Sequence, residues 1–422
     1  MPPVGSRLRP AETGGTWYPM SLGSFLRQNA QWLGAGALLT FLSSFGQTFF
    51  ISVFAGEIRE TFGLSHGQWG GIYTLGTGMA AVVMVWAGGL TDVLRVRQLG
   101  PFILAGLAMA CLAMAFNPWA GLLFVVVFAL RFFGQGMSSH IALVAMSRWF
   151  DATRGRALSV ATMGFALGEA LLPLTFVALM VWVDWHLLWI ASAVAILLAV
   201  PLLMRLLRQE RTPQSHAERS ISVGMRGRHW TRKDVLTHPL FWFMVPAILG
   251  PPSFVTAYFF HQVHLADIKG WVHVELVRLF PVYTALSLGI AIGSGWALDR
   301  VGAVRLMPFM QVPMVAAFMI YAVSDTPGTM LMGLACMAIT TGCMATLPNA
   351  FWAEVFGTAH IGAIKAMAAA VMVLGSAIGP GVTGLLIDLG LGIQRQFIGV
   401  SAYFVLATVM MMIGISRARK DL

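Results

Sequence analysis

About twelve near-continuous apolar stretches, each roughly 20 residues long, are the feature that most restricts this chain. A helix of about 20 apolar residues is what it takes to cross the hydrocarbon of a bilayer. The chain has 422 residues, enough for some twelve crossings and the turns between them. A water-soluble bundle is excluded, because helices that are apolar all round have no side to present to water. Composition agrees: 58% of residues are hydrophobic and 10% are charged, against about 25% charged in an ordinary soluble protein. The sequence predicts an all-α polytopic membrane protein.

The second constraint is an internal repeat. The segment Arg154–Pro173 (RGRALSVATMGFALGEALLP) returns in outline at Ile361–Pro380 (IGAIKAMAAAVMVLGSAIGP). Gly155, Gly168 and Pro173 are matched by Gly362, Gly375 and Pro380, each 207 residues later. Gly88 and Asp92 in GGLTD are matched by Gly295 and Asp299 in GWALD at the same offset. One offset across five ungapped matches indicates two copies of one membrane unit.

Charge gives the orientation. Of the 27 Lys and Arg residues, 22 fall on one side of the inferred topology, including Arg7, Arg9, Arg211, Arg219 and Lys420. Arg59, Lys269, Arg278 and Arg395 fall on the other, and Arg131 alone sits within a span. The rich side is cytoplasmic by the positive-inside rule, with both termini on it. The basic charges are spread over short loops, so no nucleic-acid partner is expected. Cys111, Cys336 and Cys343 lie in apolar runs and show neither a disulfide framework nor a metal spacing. The first 27 residues read as a short cytoplasmic tail.

The first six spans are expected at about 32–54, 68–90, 99–116, 121–146, 157–181 and 187–207. The last six are expected at about 239–261, 278–298, 303–323, 328–351, 362–387 and 394–415. Residues 209–238 are basic and lack apolar periodicity, so they read as a cytoplasmic linker between halves 1–208 and 239–422. Pro173 and Pro380 occupy equivalent positions and are expected to interrupt and bend their helices.

With this layout the chain resembles the major facilitator superfamily over nearly its whole length. That family carries a glycine, three variable residues, an aspartate and then basic residues in the loop between spans 2 and 3. Here the pattern stands as Gly88, Asp92, Arg95 and Arg97, with Val93 where a basic residue is usual. It recurs more fully between spans 8 and 9 as Gly295, Asp299, Arg300, Gly302 and Arg305. Span 4 has Arg131 followed by Gly134 and Gly136, each one place earlier than the family pattern. The segment Ser147–Pro173 is most similar to the bacterial monocarboxylate and oxalate/formate antiporter branch. The resemblance implies two six-helix halves rocking about a central site. It also implies that the two loops gate the cytoplasmic side, a role that acid–base clusters at helix junctions suit physically. Oxalate-type members are expected to use basic residues in spans 8 and 11. Span 8 from Leu279 to Leu298 has none here, and Lys365 lies near the cytoplasmic end of span 11, which argues against a dicarboxylate.

Ionisable groups at mid-membrane cost about 2.5–3.5 kcal/mol each, so their presence suggests use. Arg131 and Glu169 are the two clear cases. Counting helical rise from the turn between spans 4 and 5 places them within ~4–5 Å in height. Three roles fit. Arg131 can bind a substrate carboxylate through a two-pronged hydrogen bond. Glu169 can carry a coupling proton. Or the two can form a buried structural pair. The equivalents at the 207 offset are Ala338 and Ser376, both uncharged, so the second half does not duplicate the pair. Gln47, Gln135, His140, Tyr258, Tyr283 and Asn349 are further candidates to line the cavity. His261 and His264 share a spacing of three but lack a third ligand, so no metal and no cofactor are expected.

The expectation is a secondary transporter, not an enzyme. It would move a small organic anion such as a monocarboxylate together with a proton, by alternating access, as a monomer in a bacterial inner membrane. Alternatives are a proton-coupled exporter of amphipathic compounds or a non-transporting receptor of the same fold.

Overall fold

The computed structural model describes residues 22–150, 153–209 and 223–419, without the side chains of Leu22, Asp92 and Arg154. Arg7, Arg9, Arg211, Arg219 and Lys420, which contributed to the charge bias, lie outside the described residues.

The described chain is helical throughout. Eleven helices are long and apolar enough to cross a membrane, and a bent pair near the start makes a twelfth. Span 1 runs as Leu22–Ser43, then Thr48–Ile51 and Ala55–Phe62. Spans 2 and 3 are His66–Ala87 and Val96–Ala115. Span 4 is built from Leu123–Ala129, Leu130–Ser138 and Ser139–Trp149. Spans 5 to 8 are Arg154–Met180, Trp185–Leu206, Pro239–Phe260 and Phe280–Val301. Span 9 is Ala303–Leu306, Met307–Phe309 and Val312–Val323. Span 10 is Pro327–Met344 and Leu347–Phe356. Spans 11 and 12 are Ile361–Asp388 and Ile393–Ala418.

Local chemistry explains the starts. Ser65 and Gln68 form a reciprocal capping box ahead of span 2. Span 7 opens on His238, whose ring accepts from the Leu240 N–H, with Pro239 at the first helical position. Span 10 opens on Thr326 in the same way, with Pro327 behind it. Each device satisfies backbone donors that a helix start leaves open.

The repeat has a packing meaning. In the first half span 5 packs on span 1 and span 3 on span 6. In the second half span 11 packs on span 7 and span 9 on span 12. Gly168 sits so close to span 1 that a Cβ there would lie 2.0 Å from Ser44 Oγ. Its repeat partner Gly375 would meet the Leu249 carbonyl at 2.6 Å on span 7. Lipid tails give helices no hydrophobic reason to associate, so close approach through glycine supplies the dispersion contacts that hold the bundle. The outer surface is apolar to an extent water would not tolerate: Val93 is 82% exposed, Ile292 79% and Val85 76%.

One expectation is corrected. Pro173 and Pro380 do not interrupt their helices, each of which runs on past its proline. The interruptions lie elsewhere. Span 1 bends by 46° about Ser44–Gln47, and span 4 widens to π-helical winding over Leu130–Ser138. The described part of the linker, residues 223–238, packs against the second half. Trp230 is buried, donates from Nε1 to the Met225 carbonyl at 3.0 Å and stands edge-on to Phe356. A short helix, Arg232–Thr237, leads from there into span 7.

The end of the bundle carrying residues 223–238 is called the linker side. Trp32 in span 1 bonds the Gln209 carbonyl on that side at 2.8 Å. The opposite end is the far side. Between described residues, the hydrogen bonds that cross from one half to the other all lie toward the far side. The Asp388 carboxylate accepts from Ser65 Oγ at 2.5 Å and from the Gly67 N–H at 2.8 Å. Thr74 Oγ1 donates to the Ala377 carbonyl at 2.7 Å. Gln262, fully buried, donates to Ser52 Oγ at 2.7 Å and to the Phe49 carbonyl at 3.2 Å. Thr284 Oγ1 donates to Glu169 Oε2 at 3.1 Å. The structure is sealed on its far side.

Candidate functional site

The two helix interruptions abut one another. A Cβ on Gly134 would lie 2.6 Å from the Gly46 Cα, so the break in span 1 and the π-helical turn of span 4 touch through bare glycine backbone. Breaks of this kind free backbone carbonyls and amides inside the membrane, where irregular backbone is tolerated only when buried in protein or lining a cavity. Arg131 projects at this junction.

Arg131 is 2% exposed. Its Nη1 donates to the freed Gly46 carbonyl at 3.1 Å and to Thr48 Oγ1 at 3.4 Å. Thr48 Oγ1 shares a 2.5 Å hydrogen bond with the Tyr73 hydroxyl, and the Tyr73 ring lies 5.3 Å from the guanidinium carbon. One edge of the guanidinium is therefore anchored by spans 1 and 2. Nε and Nη2 are buried and have no hydrogen-bond partner among the described residues. A buried cation with two unmet donors is a costly arrangement that a planar anion would complete. Gln47, 7% exposed, stands at the span 1 break, and the half-buried Gln135 lies in the same π-helical turn.

Arg131 and Glu169 do not pair. Arg131 turns to span 1, while the half-buried Glu169 reaches across the halves to Thr284 on span 8. Of the three roles open from the sequence, the structural ion pair is not the arrangement adopted. Rise per residue gives height along the bundle but not which neighbour a side chain faces, and these two face different spans.

The remaining candidates scatter. Tyr283 donates to Thr341 Oγ1 at 3.3 Å, and Ser287 joins the same hydroxyl at 3.2 Å, making a polar seam between spans 8 and 10 beside Thr284. Tyr258 is a core residue, stacked on Tyr321 with ring centroids 4.6 Å apart. His140 is a brace: its Nε2 donates to the Gly88 carbonyl at 3.3 Å. Asn349 is exposed and donates to the Ala345 carbonyl at 3.2 Å, covering the interruption of span 10. The sequence offered no reason to single out Tyr73, Thr48 or Thr284, since hydroxyls are common in membrane helices. The polar run Ser43–Ser44 with Gln47 was the available signal for the break in span 1.

Among the described residues, the hydrogen bonds of the two loops on the linker side stay within their own halves. Thr91 donates to the Gly88 carbonyl at 2.8 Å, and Arg148 donates to the Thr91 carbonyl at 2.5 Å. Arg97 donates to the Arg208 carbonyl at 3.3 Å, and Arg95 is exposed. The Asp92 side chain lies outside the described residues. In the second loop Gly295 is half-buried, and Asp299 and Arg305 are exposed and unpaired among the described residues. Arg300 rests 3.9 Å from the Trp296 ring centroid. Gly302 ends span 8 at φ +86°, a conformation glycine adopts without strain. Glu354, not singled out from sequence, accepts from the Ala303 N–H at 3.0 Å and ties span 10 to this loop.

At the far-side seam, the ring of His66 contacts that of His264 at 4.2 Å and lies 6.0 Å from His261. His261 Nε2 donates to the Pro380 carbonyl at 3.0 Å. Among the described residues, no group of three such side chains is placed to hold a metal ion.

Comparison with known proteins gives a family and a fold. A comparison with curated proteins finds no matching sequence. Among solved structures, a bacterial homolog of the human lysosomal transporter Spinster, inward-facing and unoccupied, superposes with a TM-score of 0.71 at 13% identity, covering 93% of this chain and 98% of that one. The nucleoside transporter NupG gives a TM-score of 0.68 at 15% identity, covering 94% and 99%. The family model described as Major Facilitator Superfamily matches residues 36–310. With that match over more than half its length, the chain belongs to the major facilitator superfamily.

Proposed function

We propose that this transporter moves a small organic anion, with a monocarboxylate the best candidate, and that it couples the movement to a proton. The carrying observation is Arg131, buried at the junction of two interrupted helices with Nε and Nη2 unmet. These two donors form the bidentate fork that suits a carboxylate. The similarity of Ser147–Pro173 to the monocarboxylate branch supports the same substrate class. Glu169 is the proposed proton carrier. Its bond to Thr284 crosses the halves, so its surroundings change when the halves separate, and its proton affinity must then change with state.

The linker side is proposed to be cytoplasmic, as the bias in Lys and Arg suggests, within a bacterial inner membrane. In that orientation the sealed far side faces out and the structure is an inward-facing state. The exposed Asp299 and Arg305 then represent the cytoplasmic latch released.

The test is uptake into sealed proteoliposomes of a panel of small carboxylates, with a nucleoside included because one structural relative transports nucleosides. Each compound is measured with and without an inward proton gradient. Accumulation of one acid only with the gradient establishes the reading. Uptake of the nucleoside alone, or gradient-driven extrusion of an amphipathic dye, replaces it.

A further inference from the structure

The anchor of Arg131 is held from the other half of the molecule. Past the break in span 1, Thr48–Ile51 and Ser52–Phe54 form one short helical unit. At its start, Gly46 and Thr48 take the bonds from Arg131 Nη1. One turn on, Ser52 donates from Oγ to the Thr48 carbonyl at 2.7 Å. The same Ser52 Oγ accepts from Gln262 Nε2 at 2.7 Å, and Gln262 Nε2 also donates to the Phe49 carbonyl at 3.2 Å. His273 Nε2 donates to Gln262 Oε1 at 3.3 Å, so both donors and the acceptor of this fully buried amide are met. Gln262 belongs to the second half, just past the end of span 7. Two residues before it, Phe260 stacks its ring 4.6 Å from that of Tyr73, whose hydroxyl bonds Thr48. Between them His261 ties the corner to the Pro380 carbonyl. A run of hydrogen bonds therefore joins Arg131 to Gln262 and crosses between the halves at Ser52, and every member is buried.

We propose that Gln262 is a positioning residue for Arg131. While the far side is sealed, it holds residues 48–52, and with them the Gly46 carbonyl and Thr48 hydroxyl that orient the fork. When the halves part on that side, Gln262 must leave Ser52 and Phe49, because the partners lie in opposite halves. The short unit then loses one of its two supports, and Arg131 loses an ordered anchor. The unit thus has a held and a released arrangement that both sites bias, which is what coupling between sites requires. An oriented fork binds more tightly than a mobile one, since less freedom is lost on binding. On the carboxylate-binding reading of Arg131, on which this consequence rests, affinity is higher in the sealed state than in the open one. By reciprocity a bound carboxylate favours sealing. Gln262 acts through span 1: its own bonds among the described residues go to Phe49, Ser52 and His273.

The experiment is hydrogen–deuterium exchange of the full chain in detergent, read in peptides covering Leu130–Ser138, with equilibrium binding of radiolabelled propionate measured in parallel. Gln262→Leu should speed amide exchange in Leu130–Ser138 about fivefold, the lower end of couplings between sites, although Gln262 makes no bond to that turn among the described residues. Ser52→Ala cuts the run at another point and should do the same, which guards against a folding defect in the first variant. Ser52→Thr keeps the hydroxyl and should restore slow exchange. Gln396→Leu removes another buried amide, one bonded to the Thr383 and Leu391 carbonyls within the second half, and should leave Leu130–Ser138 unchanged. Propionate affinity should fall by a similar factor in Gln262→Leu and Ser52→Ala. Unchanged exchange in Leu130–Ser138 in these two variants overturns the proposal, as does an equal rise in Gln396→Leu, which would mark general loosening. Propionate binding that neither variant alters overturns the positioning role and leaves the carboxylate reading intact. The expected exchange pattern with no propionate bound even by the unmodified chain supports the link to Arg131 and overturns the carboxylate reading instead.

Discussion

At the residue scale, Arg131 and Glu169 divide the work by what they touch. Arg131→Gln removes both the charge and the fork, while Thr48 keeps Tyr73 as a partner. Losing a buried charged hydrogen-bond pair costs about 2–5 kcal/mol, so the apparent affinity for a carboxylate should fall by roughly 30-fold or more. Arg131→Lys keeps the charge without the planar fork and should recover only part of it. The measurement is initial uptake rate against substrate concentration, at matched membrane levels; an unchanged KM in Arg131→Gln removes the residue from the site. Glu169→Gln keeps a partner for Thr284 but cannot carry a proton. It should retain exchange of substrate for substrate while losing accumulation driven by a pH gradient, and the two assays on one preparation separate those functions. The sequence exposed both residues because a charge within an apolar run is conspicuous. It did not expose Thr284, Tyr73 or Thr48, whose role comes from which span faces which, and nothing in one sequence states that.

At the element scale, the site exists because spans 1 and 4 break where they meet. Gly134 and Gly46 let the two backbones touch, and this contact carries the freed Gly46 carbonyl to Arg131. Gly134→Ala would place a methyl group 2.6 Å from the Gly46 Cα, where no side chain can yield. Overpacking of this kind costs about 1–3 kcal/mol, and the added separation would also move the anchor of Arg131. We expect a lower unfolding temperature together with loss of transport. Gly155→Ala, at a glycine with open space around its Cβ position, should do neither and serves as the control. The number of spans, their order and the two-fold repeat were legible because about 20 apolar residues and a fixed offset are strong patterns. The breaks were not. Prolines advertise interruptions, yet Pro173 and Pro380 stay within continuous helices, since neighbouring spans can meet the backbone groups that a proline frees. Ser44–Gln47, with no proline, bends because it packs against the π-helical turn of span 4, a tertiary cause.

At the scale of the whole molecule, the seam between halves on the far side is where alternating access can be caught and biased. Asp388 at the end of span 11 holds Ser65 and Gly67 at the start of span 2. A Ser65→Cys/Asp388→Cys pair, made in a chain whose Cys111, Cys336 and Cys343 are replaced, should stop transport when oxidised and regain it on reduction. Continued transport with the bond formed would mean that this seam need not open. Proton concentration should act on the same seam. His66 belongs to one half and His261 and His264 to the other, and the groups around them are Arg59, Asp267 and Asp388. Burial in the sealed seam lowers the pKa of His264, and the Arg59 charge lowers it further, while Asp267 opposes both. An imidazole freed by opening returns toward its ordinary value of about 6.5. The open seam therefore binds more protons than the sealed one. Sealing is fully favoured above that value and weakens as the pH on the far side falls through it. A single cysteine at Thr74, a residue bonded across the seam, would report this through its labelling by an impermeant thiol reagent. Normalised to a cysteine at the 86% exposed Trp182, labelling should rise between pH 8 and pH 5.5 on the far side. His264→Asn should flatten the rise, because it removes the proton that drives the halves apart. A normalised profile that stays level in the unmodified seam would show that the histidines only pack there.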